Sequence, residues 1–129
     1  MKMESKYHFS FEDLLVYQKA MGFGEDVNQQ VKEFPKSERF ELTSQFKRAA
    51  DSIALNIAEG SSGTDKQFHY YLGNAYRSAH ECVSCNTKAF FRDYITQKQG
   101  ENNRKKLTEL TKMISVLRQK IAKRINSQS

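Results

Sequence analysis

The 129-residue sequence contains no tryptophan, one proline, six glycines and two cysteines. Because proline and glycine are the residues that most often interrupt helices, their scarcity favours long, continuous helices. The two cysteines, Cys82 and Cys85, lie on one predicted helix, where a disulfide would distort the backbone. This argues against a disulfide-stabilised secreted module and indicates a reducing environment such as the cytoplasm.

Long hydrophobic runs are absent as well. No segment approaches the roughly 20 apolar residues that a membrane-spanning helix requires. The opening stretch MKMESKYHFSFED carries charges where a signal peptide has its apolar core. We therefore expect a cytoplasmic protein without a membrane segment, and the length suits a single domain over residues 1–129.

Apolar residues recur at intervals of three and four in four segments, and no segment alternates as a strand would. The predicted helices cover about 10–33, 38–59, 65–94 and 101–125, with disordered or irregular ends at 1–9 and 126–129. Because the connections are short, neighbouring helices should be antiparallel. The predicted fold is all-α, a single up-down-up-down four-helix bundle.

Two sequence signals predict helix starts. Ser10 with Asp13, and Thr64 with Gln67, have the spacing of a capping box, in which the first side chain accepts a backbone N–H and the second reaches back. These pairs place the beginnings of the first and third helices.

Proline and glycine predict the helix ends. Pro35 cannot continue the hydrogen-bond ladder of the first helix. Gly60 is expected to close the second helix in the left-handed conformation, and Gly100 to lie in a loop before the fourth.

Positive charge is concentrated near the C-terminus. The formal charge is +6, and residues 98–124 hold nine Lys or Arg against two acidic residues, whereas the rest of the chain is slightly acidic. The fourth helix has an apolar seam at Leu107, Leu110, Ile114, Leu117 and Ile121. Opposite or beside that seam lie the candidate nucleic-acid-binding residues Lys105, Lys106, Lys112, Lys120, Lys123 and Arg124.

These cations have two interpretations. Lys and Arg neutralise phosphates of RNA or DNA largely without sequence selectivity, and an excess of this size exceeds what solubility requires. A bundle also needs a solvated exterior, so the charge is equally compatible with a protein-binding adaptor or assembly subunit that has no affinity for nucleic acid.

The second helix carries a polar line at steps of three and four: Gln45, Arg48, Ser52, Asn56 and Glu59. This face is either a structural seam, including an interface between subunits, or a ligand site. Glu81 on the third helix is a candidate partner for Arg48.

Catalytic chemistry finds little support in the sequence. Cys82 and Cys85 share a face with no further ligands to close a zinc site, since His80 points away from them. The pair also lies in mid-helix and not at a helix N-terminus, where a thiol pKa falls. We interpret both cysteines as small buried hydrophobes, so no catalytic residue, metal or cofactor is expected and the protein is predicted not to be an enzyme.

The predicted third helix has more aromatic residues than one bundle needs, namely Tyr70, Tyr71, Tyr76, Phe90 and Phe91. Aromatic side chains stack on bases, but at helical spacing they more often belong to a core or a subunit contact. Because a second copy commonly covers such a surplus, these residues indicate a homo-oligomer.

Several residues match a family pattern that periodicity does not require. The second helix and its approach read Phe34-Pro35, Glu38, Phe40, Leu42-Thr43, Gln45, Arg48-Ala49-Ala50, Ser52-Ile53 and Asn56-Ile57-Ala58-Glu59-Gly60. Further matches are Phe11, Leu14, Phe68, Tyr71, Leu72, Ala75, Ser78 and Glu81. Over about residues 9–95 the chain thus resembles the bacterial four-helix-bundle family first noticed as proteins encoded in intervening sequences of 23S rRNA genes.

That family is similar in fold to the accessory variability protein of diversity-generating retroelements, a basic pentameric barrel that binds a reverse transcriptase and nucleic acid. The resemblance implies a homo-oligomeric, pentameric ring without known catalysis. A reverse-transcriptase partner is implied only where the gene is linked to a retroelement. The chain departs from the family pattern at Tyr17, Glu41 and Ala54, where tryptophan, glycine and proline are common.

Overall fold

Four α-helices account for most of the molecule in a computed structural model that describes residues 3–127. They are α1 (Leu15–Gln30), α2 (Leu42–Ser61), α3 (Asp65–Phe91) and α4 (Gln97–Ser127). Short 3-10 helices at Ser10–Asp13, Val31–Glu33 and Lys36–Glu38 precede and follow α1. No strand occurs within residues 3–127, so the all-α prediction is confirmed there.

The helices form an antiparallel bundle in up-down-up-down order. Helix α1 packs against α2 and α4, and α3 packs against the same two helices. Helices α2 and α4 therefore lie on opposite corners, and none of their described residues approach within 8 Å between Cα atoms. No helix in the described part of the chain is long and apolar enough to cross a membrane.

The core is built from large side chains on three helices and small ones on α3. Ile53 and Ile57 of α2 and Leu107 and Ile114 of α4 are almost completely buried. The buried residues of α3 are mostly small: Ala75, Ala79, Cys82, Cys85 and Ala89. Small side chains let neighbouring helices approach closely, which fits the extensive contact between α3 and α2.

The predicted capping box at Ser10 and Asp13 is wrong. An extended backbone at Leu14 separates the 3-10 turn from α1, so the first helix begins later than the pattern predicts. The side chain that reaches back is that of Glu12, whose Oε1 accepts the backbone N–H of Phe9 at 3.0 Å. The second predicted capping box is present, with Thr64 and Gln67 bonded reciprocally.

The predicted left-handed turn at Gly60 is also wrong. No glycine in the described chain has a positive φ, and α2 continues to Ser61. Gly60 is buried, and a Cβ added there would meet the Cβ of Tyr71 at 2.6 Å and the Cα of Phe68 at 3.3 Å. The glycine therefore permits the close approach of α3 to the end of α2.

Helix α4 begins four residues before its predicted start. Thr96 and Gln99 cap it reciprocally: the Thr96 N–H donates to Gln99 Oε1 at 2.8 Å, and the Gln99 N–H donates to Thr96 Oγ1 at 3.0 Å. Gly100, predicted to lie in a loop, is a buried residue inside the helix. At the other end the helix includes residues 126 and 127, predicted to be irregular. Residues 1, 2, 128 and 129 lie outside the described chain.

Three amide side chains form a buried network between α1, α3 and α4. Asn103 is completely buried, and its Nδ2 donates to Gln30 Oε1 at 2.8 Å and to Asn86 Oδ1 at 2.9 Å. Gln30 donates back to Asn103 Oδ1 at 2.9 Å, and Asn86 donates to the carbonyl of Gly100 at 3.0 Å. Since each amide finds a partner, the network fixes how these three helices meet.

We expect Asn103→Ala to be less stable than Asn102→Ala by about 1–3 kcal/mol, because it removes the hydrogen bonds of Asn103 to the half-buried Gln30 amide and leaves the buried Asn86 Oδ1 without its donor. Asn102 is the matched control, as it is exposed on the same helix and makes no side-chain hydrogen bond within residues 3–127. Urea unfolding of both variants measures the difference. Equal free energies of unfolding would contradict a structural role for the network.

Candidate nucleic-acid interface

Four of the six predicted cations lie exposed on the outer side of α4. Lys105, Lys112, Lys120 and Lys123 are exposed, and none makes an ion pair or side-chain hydrogen bond within residues 3–127. We call these four residues the lysine face. Because an α-helix has 3.6 residues per turn, Lys105, Lys112 and Lys123 lie almost opposite the buried apolar seam of α4 and face outward.

The other two predicted cations are neutralised by carboxylates. Lys106 forms an ion pair with Asp26 of α1, and an Arg124 nitrogen lies 2.7 Å from Asp65 Oδ1 at the start of α3. Both positions lie at the sides of α4, where they face neighbouring helices. Because each cation is paired with a carboxylate, the two pairs contribute little net positive potential. The basic surface predicted from the sequence is therefore too large by these two residues.

A shallow apolar groove of about 350 Å³ runs beside the lysine face, between α1 and α4. Leu15 and Val116, both more than half exposed, line it together with Met113. Lys112 and Lys120 form part of its lining as well. Apolar contact and phosphate binding would therefore use adjoining parts of one surface.

The polar line predicted on α2 has a half-buried part that contacts α3 and an exposed part. Ser52 donates to Ser78 of α3 at 2.6 Å, and Asn56 donates to the carbonyl of Ser52 at 2.7 Å, with all three side chains half-buried. These residues form a polar contact between α2 and α3. Glu59 is exposed at the other end of the line.

The suggested pairing of Arg48 with Glu81 is not formed. Both side chains are exposed, and within the described chain neither lies in an ion pair. Arg48 instead lines a cleft of about 340 Å³ between the first turns of α2 and the last turns of α3, together with Gln45, Lys88 and Arg92. We call it the α2–α3 cleft.

Lys88 and Arg92 were not among the site residues predicted from the sequence. Arg92 directly follows α3, and its spacing of four residues from Lys88 places the two on one side of the end of that helix. Their proximity to Arg48 was not visible, because it depends on how α2 and α3 pack. The cleft thus adds a second group of cations, separate from the lysine face.

A buried carboxylate holds Arg92 in place. Glu38 is 7% exposed, and its Oε2 accepts hydrogen bonds from Arg92 Nη1 and from the Tyr94 hydroxyl, each at 2.7 Å. The Tyr94 hydrogen bond lowers the pKa of Glu38 most, and Arg92 lowers it further, while burial opposes both. The same hydrogen bond raises the pKa of Tyr94, since it favours the protonated hydroxyl.

The two thiols are poorly suited to nucleophilic chemistry. Both are completely buried and free. Burial is the main cause that raises the pKa of Cys85 to about 11 and that of Cys82 well above its ordinary value. No group of three or more His, Cys, Asp or Glu side chains within residues 3–127 is arranged to hold a metal ion.

Comparisons with known proteins identify relatives. A family model described as 23S rRNA-intervening sequence protein matches residues 12–116. A crystal structure of a protein of unknown function from the S23 ribosomal protein family of Bacteroides thetaiotaomicron has a TM-score of 0.75 and 23% identity, covering 81% of this chain and 96% of that chain. At this identity the likeness shows a shared fold alone. No curated protein matches the chain.

We expect the stability of the Glu38→Gln variant to depend less on pH under acidic conditions than that of the wild type. Because the folded state lowers the pKa of Glu38 from the ordinary 4.5, its carboxylate stabilises the fold above that value, and the contribution is lost as the pH falls through the lowered pKa. Thermal unfolding between about pH 5 and about pH 3 measures the effect. Glu33→Gln, at an exposed position whose side chain makes no hydrogen bond with the described residues, should keep the wild-type slope. If the stability of Glu38→Gln falls with pH as steeply as that of the wild type, the stabilising role assigned to the Glu38 carboxylate is contradicted.

Proposed function

The chain belongs to the family of 23S rRNA-intervening sequence proteins, and on this premise we propose that it is a non-catalytic protein of the cytoplasm that binds RNA or DNA through the lysine face of α4. The observation that carries the proposal is the exposure of Lys105, Lys112, Lys120 and Lys123 without any partner carboxylate in the described chain. Buried, free thiols suit a reducing compartment.

The dimensions of the lysine face suit a nucleic-acid backbone. From Lys105 to Lys123 the helix rises about 27 Å, a distance over which a duplex carries roughly 16 phosphate charges. Four cations along this length neutralise phosphates and release counterions, which favours binding and makes it dependent on salt. Contacts of this kind select for charge and shape and not for base sequence.

We also propose that the protein self-associates, with the five-membered ring implied by the family resemblance as the expected form. Several large apolar side chains on α2 and α3 remain more than half exposed, including Leu55, Tyr70 and Phe91. Apolar side chains on outer helix faces are commonly covered by another copy. A ring would also present several lysine faces to one nucleic acid, which raises the overall affinity.

We expect the quadruple variant Lys105→Gln, Lys112→Gln, Lys120→Gln and Lys123→Gln to bind structured RNA and duplex DNA at least about tenfold more weakly at low salt. The slope of log affinity against log salt for the duplex should fall by about three to four, because one phosphate contact is lost per lysine. Fluorescence anisotropy over a salt series measures both quantities.

A matched control removes the same charge elsewhere. Lys6, Lys36, Lys47 and Lys66 are exposed and without ion pairs in the described chain, so their replacement by Gln lowers the formal charge equally. The control should retain most of the affinity and slope. Equal losses of affinity in the two variants would show that binding depends on the net charge of the protein and not on the position of the lysines. Absence of binding by the wild type at low salt would contradict the proposal and favour the adaptor function.

The proposed self-association predicts a light-scattering mass well above the 15.0 kDa of one chain, and roughly 75 kDa for a ring of five. The mass should persist on dilution, because every subunit of a closed ring is held by an interface on each side. A mass of one chain at all concentrations would contradict self-association. A stable mass for another number of copies would contradict only the five-membered ring.

A further inference from the structure

Three cations line the α2–α3 cleft, and two of them form no ion pair within the described chain. Arg48 and Lys88 are exposed and have no ion pair or side-chain hydrogen bond in the described chain. Glu41 is the one acidic side chain of the cleft lining, against three cations. The side chains of Ser44 and Gln45, which also line the cleft, make no hydrogen bond within residues 3–127. The cleft therefore offers charge and donors to an anion.

The third cation of the cleft is pre-positioned. Arg92 uses Nη1 for Glu38, which is itself buried and bonded to Tyr94. The other donors of the guanidinium make no hydrogen bond with the described residues, and the Arg92 side chain is 43% exposed. A guanidinium that is already positioned by a hydrogen bond to a carboxylate loses less conformational entropy when it binds a second anion, such as a phosphate.

An exposed aromatic ring borders the same cleft. Phe40 is 85% exposed, although it is large and apolar, and it forms part of the cleft lining. The guanidinium of Arg39 lies 5.3 Å from its ring centroid. A flat apolar ring beside three cations matches a nucleotide, whose base stacks on aromatic faces while its phosphate binds the cations. In a duplex the base faces are covered by their neighbours, so the ligand must be unpaired.

We propose that the α2–α3 cleft binds an unpaired nucleotide of single-stranded RNA or DNA, with its phosphate on Arg48, Lys88 and Arg92 and its base on Phe40. The inference deepens the proposed function and rests on it. The cleft and the lysine face belong to different surfaces, because α2 and α4 are at opposite corners of the bundle. The lysine face binds backbone of any form, whereas the cleft selects unpaired strands.

The test compares a labelled single-stranded RNA 12-mer with the duplex of the same sequence by fluorescence anisotropy. Arg48→Gln with Lys88→Gln should weaken single-strand binding about tenfold or more and duplex binding less than about threefold. Phe40→Ala should weaken single-strand binding by about tenfold with an unchanged salt slope, because stacking involves no charge. Both sets of positions are exposed, so folding should be preserved.

Lys36→Gln with Lys47→Gln provides the matched control, since both residues are exposed and lie outside the cleft lining. Equal losses of single-strand and duplex affinity in the cleft variant would overturn the proposal, as would a Phe40→Ala variant that binds like wild type. Competition by polyglutamate as potent as by unlabelled RNA would overturn it too, because charge alone would then be recognised. So would a changed light-scattering mass of the cleft variants, which would assign the cleft to a subunit contact.

The two proposals fail in different ways. If the wild type binds neither strand nor duplex, the proposed function itself fails. If it binds both, and only the lysine-face variant loses affinity, nucleic-acid binding stands and the cleft has no part in it.

Discussion

The hydrogen bonds among Gln30, Asn86 and Asn103 fix the rotation of α4 about its own axis. Asn103 is held between α1 and α3 and lies on the same side of α4 as Leu107 and Ile114. Apolar contacts tolerate small rotations, whereas paired amides do not, because a shift leaves buried donors without acceptors. With this orientation fixed, residues about 180° away, including Lys105, must face outward.

The six cations of α4 that were predicted as nucleic-acid-binding residues fall into two groups according to this orientation. Those at its sides, Lys106 and Arg124, reach acidic residues of α1 and α3 and contribute to contacts inside the bundle. Those on its outer side, Lys105, Lys112, Lys120 and Lys123, form no ion pair within the described chain. The basic character of the chain is thus partly used for packing. The lysine face and the cations of the α2–α3 cleft are the two surfaces that we propose for nucleic acid.

Much of the fold was predictable because its signals are local. Periodicity gave four helices, and the Thr64 and Gln67 spacing gave the start of α3. The same spacing at Thr96 and Gln99 marks the start of α4, but Gly100 was interpreted as a loop residue. Glycine has two distinct uses, conformational freedom and small size, and the sequence does not distinguish them: Gly60 serves close packing. The cleft was not predictable, because Arg48 and Lys88 are brought together only by tertiary packing.

Acylation of lysines, followed by mass spectrometry with and without bound RNA, tests most directly whether the lysine face and the cleft contact nucleic acid. We expect Lys105, Lys112, Lys120, Lys123 and Lys88 to react in the free protein and to be protected by RNA. Lys36, Lys47 and Lys66, exposed on other surfaces, should react equally in both states. Uniform reactivity with and without RNA would contradict the account. So would protection of the lysine face in the free protein, since another copy of the chain would then cover it.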